Sequence, residues 1–185
     1  MWGLAVKLVL CCFVLAQADQ TAPANFIIDF EPETDIDGVG VISVNVTRAW
    51  APLGADHLFA LVNDGFYDGA AFFRVYGGFL LQFGIAGTPA ENVKWQAPIK
   101  DDPLVQSNLK HTIAYAISGD TLRKNARTTQ LFINYEDNAE LDGQGFVPLG
   151  MAIGGTQYLS RVHDLTPGDH RLRNEGGHMD PREVS

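Results

Sequence analysis

The chain has 185 residues, 46% of them hydrophobic and 19% charged, enough to close one core and too few for two ordinary domains. Its 13 Lys and Arg against 22 Asp and Glu leave a formal charge of −9, which repels phosphate backbones, so no nucleic-acid partner is expected. Nineteen Gly and nine Pro imply many turns, and favour a β-rich fold over a helical bundle.

Residues 1–18 read as a cleaved signal peptide. Lys7 precedes an apolar run over residues 8–16, and Ala16-Gln17-Ala18 has the small-x-small pattern of a signal-peptidase site. The run is shorter than the roughly 20 residues that cross a bilayer. No later segment reaches that length, so no membrane span is expected in the mature chain. Cleavage removes Cys11 and Cys12, the only cysteines, and leaves neither a disulfide nor a thiol nucleophile. The expected destination is the secretory pathway, in the ER lumen or outside the cell. The last four residues, Arg182-Glu183-Val184-Ser185, are not an ER-retention tetrapeptide.

A first strand is predicted over residues 26–30. A second covers residues 41–47, where Ile42, Val44 and Val46 alternate with Ser43, Asn45 and Thr47. The acidic segment 31–38 between them reads as a hairpin loop. Its Glu33-x-Asp35-x-Asp37-Gly38 opens like a calcium loop, but Val44 stands where the twelfth-position Glu belongs. Asn45-Val46-Thr47 is a glycosylation sequon, with Asn45 on the polar face of its strand.

Residues 52–63 form the best helix, with Leu58, Phe59, Leu61 and Val62 as its apolar stripe and Asn63-Asp64-Gly65 as its stop. Strands over residues 71–76 and 79–83 flank Gly77-Gly78 as a tight hairpin. Further strands are predicted over 112–117, 130–134 and 147–152, a short helix over 157–162 and a last short strand over 172–175. Many strands with only two helices argue for an antiparallel barrel or sandwich, because a parallel sheet needs a crossover between most strand pairs.

Arg74 lies within Phe72-Phe73-Arg74-Val75-Tyr76, and Gln82 between Leu81 and Phe83. An unpaired buried charge is costly, so Arg74 either reaches water and a surface carboxylate or binds a ligand. Alternation alone leaves both open, and equally allows Gln82 to face solvent. The five histidines show no metal-ligand spacing, and neither a Gly-x-Ser-x-Gly elbow nor a phosphate loop occurs. No metal and no cofactor are expected.

Five blocks in order carry a family resemblance: Phe66-Tyr67-Asp68-Gly69, Phe72-Phe73-Arg74-Val75, and Gly78-Phe79-Leu80-Leu81-Gln82-Phe83-Gly84, then Thr129-Gln130-Leu131-Phe132-Ile133-Asn134, then Leu141-Asp142-Gly143 followed by Leu149-Gly150. They resemble the central motifs of the cyclophilins. The resemblance implies a mainly β fold, a closed eight-stranded antiparallel barrel capped by two helices, over residues 24–177, with a polar tail at 178–185. It implies peptidyl-prolyl cis-trans isomerase activity on proline-containing peptides and unfolded client proteins, by a monomer.

Residue by residue, Arg74 matches the family's catalytic arginine, and Phe79, Gln82 and Phe132 match other catalytic positions. Leu80, where Met is common, Ala116, Leu141 and Phe146 match substrate-binding positions. Glu140 stands where many members carry the tryptophan that binds cyclosporin, so weak cyclosporin binding is expected. Phe146 stands about where many carry a histidine at the pocket rim, and Gly77-Gly78 replaces the usual Pro-Gly. The altered rim motivates an alternative: a non-catalytic proline-peptide-binding module or chaperone on the same barrel.

Overall fold

The computed structural model describes residues 21–31, 40–117 and 124–159. Seven strands form one antiparallel sheet: β1 (Asn25–Phe30), β2 (Ile42–Thr47), β3 (Arg74–Tyr76), β4 (Leu80–Phe83), β5 (Thr112–Ile117), β6 (Arg127–Asn134) and β7 (Pro148–Gly154). Their spatial order is β1-β2-β7-β5-β6-β4-β3. Helix α1 spans Pro52–Asn63 and helix α2 spans Pro89–Lys94; 3-10 turns cover Arg48–Trp50 and Ala139–Gln144.

The expected closed eight-stranded barrel is not what forms. Closure requires every strand to be paired on both sides. Here β1 and β3 are the two ends of the sheet, and among the described residues nothing hydrogen-bonds one to the other. The final strand expected over 172–175 lies outside the described residues. So do residues 1–18, the tail at 178–185 and nearly all of the acidic loop. Of the two expected helices, the first is α1. Residues 156–159 are helical, and residues 160–162 of the second lie outside the described residues. The six-residue α2 was not anticipated, because so short a segment shows no readable period.

The sheet is covered on both faces. On one face Val44, Val46, Val75, Leu81, Phe83, Ile113, Tyr115, Leu131 and Ile133 pack with Ala55 and Leu58 of α1 into the main core. In β2, Ile42, Val44 and Val46 are buried and their alternates half-buried, as the alternation requires. All four β4 residues are buried, because a second apolar cluster covers the opposite face.

Helix α1 starts without a side-chain cap from its own first residues. Pro52 supplies the preset φ of a first helical residue. The cap comes from far along the chain: the Asp102 carboxylate accepts hydrogen bonds from the backbone N–H of Leu53 (2.9 Å) and Gly54 (2.8 Å). Asp102 is in turn paired with Arg127 of β6 at 3.0 Å, both side chains being almost fully buried. Gly54 belongs there because a Cβ would lie 3.0 Å from Arg127 Nη1. At the other end, Gly65 (φ 71°) donates to the Val62 carbonyl and Phe66 to the Leu61 carbonyl, the paired bonds of a glycine-terminated helix.

Two more groups tie this layer to β6. His57 Nε2 lies 2.8 Å from the Thr128 carbonyl, and the Tyr67 hydroxyl donates to the Thr129 carbonyl at 2.9 Å. Burial holds the His57 pKa below its ordinary value, with the positive charge of Arg127 adding to it and the bond to Thr128 opposing it. His57 therefore stays neutral and donates from Nε2 at physiological pH.

Candidate active site

Strand register builds the site. Arg74 pairs with Gln82, Gln82 with Phe132, and Phe132 with Ala114. Directly paired residues project on the same face, so these four side chains form one row across four strands. The neighbouring row holds Tyr76, Leu80 and Asn134. The hairpin closes through Gly77-Gly78, where Phe79 N donates to the Tyr76 carbonyl at 3.0 Å and Gly78 takes φ 78°. That left-handed value suits glycine alone without strain.

The polar half of the row is a relay of side chains. Gln82 is 3% exposed, so it does not face solvent. Its Nε2 donates to Gln130 Oε1 at 2.8 Å. That bond turns its Oε1 towards Arg74, whose Nη1 donates to it at 3.4 Å. The Arg74 guanidinium is half-buried and lies 5.1 Å from the Tyr76 ring centroid, within cation–π reach. Among the described residues Arg74 makes no ion pair, and its side-chain hydrogen-bond partner there is Gln82. Most of its five N–H donors stay available to a ligand.

The apolar half lies beside it. Leu80, Ala116, Phe132, Leu141 and Phe146 form one buried cluster with Ala114 and Ile117, and Phe79 and Ala126 are half-buried at its margin. Phe132 and Phe146 meet edge to face at 5.5 Å, and Tyr76 and Phe79 likewise at 6.4 Å. Phe146 is 0% exposed, so it backs the Phe132 ring rather than standing at a rim. Glu140 is exposed on the 3-10 turn that carries Leu141. Asn45 lies elsewhere: it pairs with Ile27 of β1 and Met151 of β7, two strands beyond β5.

Gln130 carries a role that the sequence reading missed, although Gln130, Phe132 and Asn134 stand at i, i+2 and i+4 of one strand. That spacing puts all three on the face of Gln82. Also missed was a chain of buried amides under the apolar cluster, running through Asn138, Asn134 and Asn108 to Asp142. Burial tends to raise the Asp142 carboxyl, but hydrogen bonds from Ser107 and Asn108 outweigh it and hold the group below the usual carboxylate range.

A cation fixed on the face of an apolar cluster suits a reaction in which no bond to the protein forms. Comparison with known proteins agrees. Residues 27–176 match the model of the family described as cyclophilin type peptidyl-prolyl cis-trans isomerase/CLD. The chain is 34% identical over 133 residues to peptidyl-prolyl cis-trans isomerase A of Dickeya dadantii, covering 68% of this chain and 67% of that one. It is 30% identical over 151 residues to the isomerase cyp18 of Streptomyces antibioticus, covering 76% and 85%. A solved cyclophilin-type isomerase of Cryptosporidium parvum shares the fold with TM-score 0.55 at 20% identity, over 68% of this chain and 79% of that one. Another structure of that protein was determined in the presence of the dipeptide Ala-Pro, with TM-score 0.56 at 19% identity. This chain belongs to the cyclophilin-type peptidyl-prolyl cis-trans isomerase family, a class of enzymes.

Gln130→Ala is expected to free the Gln82 amide to rotate and so to loosen Arg74. The loss of one such bond, on the order of 1 kcal/mol, corresponds to roughly a fivefold drop in kcat/KM. A peptide isomerisation assay on folded variant checks this; Gln130→Glu, which retains the acceptor, should lose less.

Proposed function

We propose that the chain catalyses rotation about X–Pro bonds in client proteins of the secretory pathway, with Arg74 acting on the prolyl nitrogen. The observation that carries this is the Arg74 guanidinium: half-buried, held by Gln82, without an ion pair among the described residues, on the sheet face that carries an apolar cluster with Phe132. The barrier to X–Pro rotation is amide resonance, roughly 18–20 kcal/mol in an ordinary peptide bond. As the bond twists, the nitrogen lone pair leaves the π system and becomes an acceptor. A guanidinium N–H directed at it stabilises the twisted form more than either planar form, which is the condition for acceleration. Phe79, Leu80, Phe132 and Leu141 bury the proline ring, Ala116 lines the cleft beside them, and Phe146 supports the floor. Gln82 holds a substrate backbone group as well as Arg74. A binding module alone has no need of a charge at the prolyl nitrogen, so the placement of Arg74 favours catalysis over the chaperone alternative.

Arg74→Ala is expected to lower kcat by about 10²–10³ with little change in fold, the usual effect of removing one preorganised donor. Arg74→Lys should be nearly as slow, since an ammonium lacks the planar fork. Exchange spectroscopy on a short X–Pro peptide measures both. Wild-type rates in Arg74→Ala would remove Arg74 from the mechanism.

The secretory part of the reading rests on residues 1–18 and on the sequon at Asn45. Asn45 lies on the half-buried polar face of β2, where Nδ2 meets Thr47 Oγ1 at 3.4 Å and the paired Ile27 is 60% exposed. Translation with ER microsomes should give a product shortened at Ala18 and carrying one glycosidase-sensitive glycan that Asn45→Gln abolishes. An uncleaved, protease-accessible product would refute the targeting. A cleaved, unglycosylated product would refute the Asn45 assignment alone.

Cyclosporin is expected to bind weakly. The exposed Glu140 is acceptor-only when ionised, so it cannot donate a hydrogen bond as an indole does, and it keeps its hydration. Loss of an aromatic anchor costs about 2 kcal/mol, roughly thirtyfold in affinity. Calorimetric titration should show that gain in Glu140→Trp.

A further inference from the structure

Beneath the apolar cluster lies a directional chain of buried side-chain amides. Asn108, Asn134 and Asn138 are at most 4% exposed. Asn138 Nδ2 donates to Asn134 Oδ1 at 2.8 Å, and Asn134 Nδ2 to Asn108 Oδ1 at 3.3 Å and Thr112 Oγ1 at 2.9 Å. Asn108 Nδ2 then donates to Asp142 Oδ1 at 2.7 Å. The chain runs one way, each amide accepting from the residue before it and donating to the next, and it terminates on a carboxylate.

Both ends of this chain also grip main-chain carbonyls of the pocket residues. At its start, Asn138 Nδ2 donates its second hydrogen to the Phe79 carbonyl at 3.0 Å. At its finish, Asn108 Nδ2 donates to the Phe146 carbonyl at 2.9 Å. Asp142, which also accepts from the Asn108 backbone N–H at 2.9 Å, directly follows Leu141. Phe79 belongs to the β3–β4 hairpin, whereas Leu141 and Phe146 belong to the 3-10 turn and the residues after it. These two parts of the pocket come from chain segments more than fifty residues apart, and the amide chain links them directly.

We propose that Asn108, Asn134 and Asn138 are positioning residues for the isomerase: their head-to-tail amides fix the separation between the Phe79 wall and the Leu141–Phe146 wall of the proline pocket. The proposal rests on the isomerase reading of this cleft. It follows from where each hydrogen bond ends. The chain of amides begins on the carbonyl of Phe79, at the margin of the apolar cluster, and ends on that of Phe146, which backs Phe132 within it. An all-apolar filling of the same space would remove the side-chain donor of the Phe146 carbonyl, and would leave the Phe79 carbonyl only Tyr135 N–H and Asp142 only Ser107 and the Asn108 backbone.

The walls touch the proline ring, which is alike in the cis, trans and twisted forms. Setting their separation therefore controls binding of ground state and transition state equally, and this appears in KM and not in kcat. Arg74, which acts on the nitrogen alone, has the opposite signature. The two kinds of residue are thus separable by kinetics.

The test is steady-state and exchange kinetics of Asn138→Ala, Asn138→Asp and Asn138→Ser on an X–Pro peptide, with thermal melts giving the folded fraction. Asn138→Ala should raise KM roughly five- to tenfold, the order of one lost hydrogen bond, with kcat within twofold of wild type. Asn138→Asp has the same shape but an ionised carboxylate with no hydrogen to give, and should match or exceed that rise. Asn138→Ser, which keeps one donor, should fall between, and it decides the matter if Asn138→Ala does not fold. A lowered melting temperature with unchanged KM in the folded variants would overturn the proposal and leave the amides a purely structural role. If wild type neither binds nor turns over X–Pro peptides, the isomerase reading fails and the proposal falls with it.

Discussion

The row Arg74–Gln82–Phe132–Ala114 exists because four strands are paired in one register. Side chains alternate with period two, so a slip of one residue between β4 and β6 would exchange Leu80 and Gln82 for Leu81 and Phe83 on the site face. The main core would then receive Gln82, and through the hairpin Arg74, in place of Leu81 and Val75. An unpaired guanidinium buried among Phe83, Leu131 and Ile133 costs several kcal/mol. The charge to which we assign the chemistry therefore also enforces the register that positions it. The two-residue turn at Gly77-Gly78 adds a geometric limit, since a different loop length would require a different turn type.

Strand β6 is the element on which both faces depend. On the site face it supplies Gln130, Phe132 and Asn134. At its start Arg127 reaches the other layer, where it pairs with Asp102 and donates to the Lys100 carbonyl. Asp102 caps α1, and His57 and Tyr67 grip the next two carbonyls of the strand. Across the sheet, Thr129 Oγ1 donates to the Gly84 carbonyl at 3.0 Å, and a Cβ at Gly84 would lie 2.5 Å from the Thr129 carbonyl oxygen. Glycine is required for β4 and β6 to approach so closely where β4 ends. Breaking a buried pair such as Arg127–Asp102 leaves an uncompensated charge, typically worth about 3–5 kcal/mol. The helix layer thus holds the strand from which the Gln130–Phe132–Asn134 row hangs, by contacts on the opposite side of the sheet.

Much of this was legible in the sequence because it rests on short periods. Alternation placed β2 and β4 within a residue of their observed bounds, the strand expected over 112–117 is β5, and the Gly77-Gly78 turn identified the hairpin carrying Arg74 and Gln82. The cyclophilin resemblance singled out Leu80, Ala116, Phe132, Leu141 and Phe146, which the fold gathers into one cluster. What escaped depends on contacts across long sequence separations. The cap of α1 comes from Asp102, about fifty residues away, so no local pattern announces it. Gln82 looked as able to face solvent as the site, because its burial is decided by its pairing with β6, where Gln130 holds its amide. Barrel closure was carried over from the family resemblance. It is a global property that seven strands with β1 and β3 at opposite ends do not satisfy.

Leu141 is buried at the pocket and its neighbour Glu140 is exposed, though both lie in one 3-10 turn. Adjacent residues of such a turn point about 120° apart, so one can vary while the other stays packed. The amide chain reinforces the separation: it holds the turn through Asn108, Asp142 and the Phe146 carbonyl, none of which involves the Glu140 side chain. The turn therefore presents a fixed inner side and a free outer side. In the proposed site, a macrocycle broad enough to cover the rim would sense the outer side, whereas a proline ring would meet only the inner one. A surface that has lost an aromatic anchor for large ligands can in this way keep the geometry that small substrates need. The binding strength of a large inhibitor then carries little information about whether the Arg74 chemistry is intact.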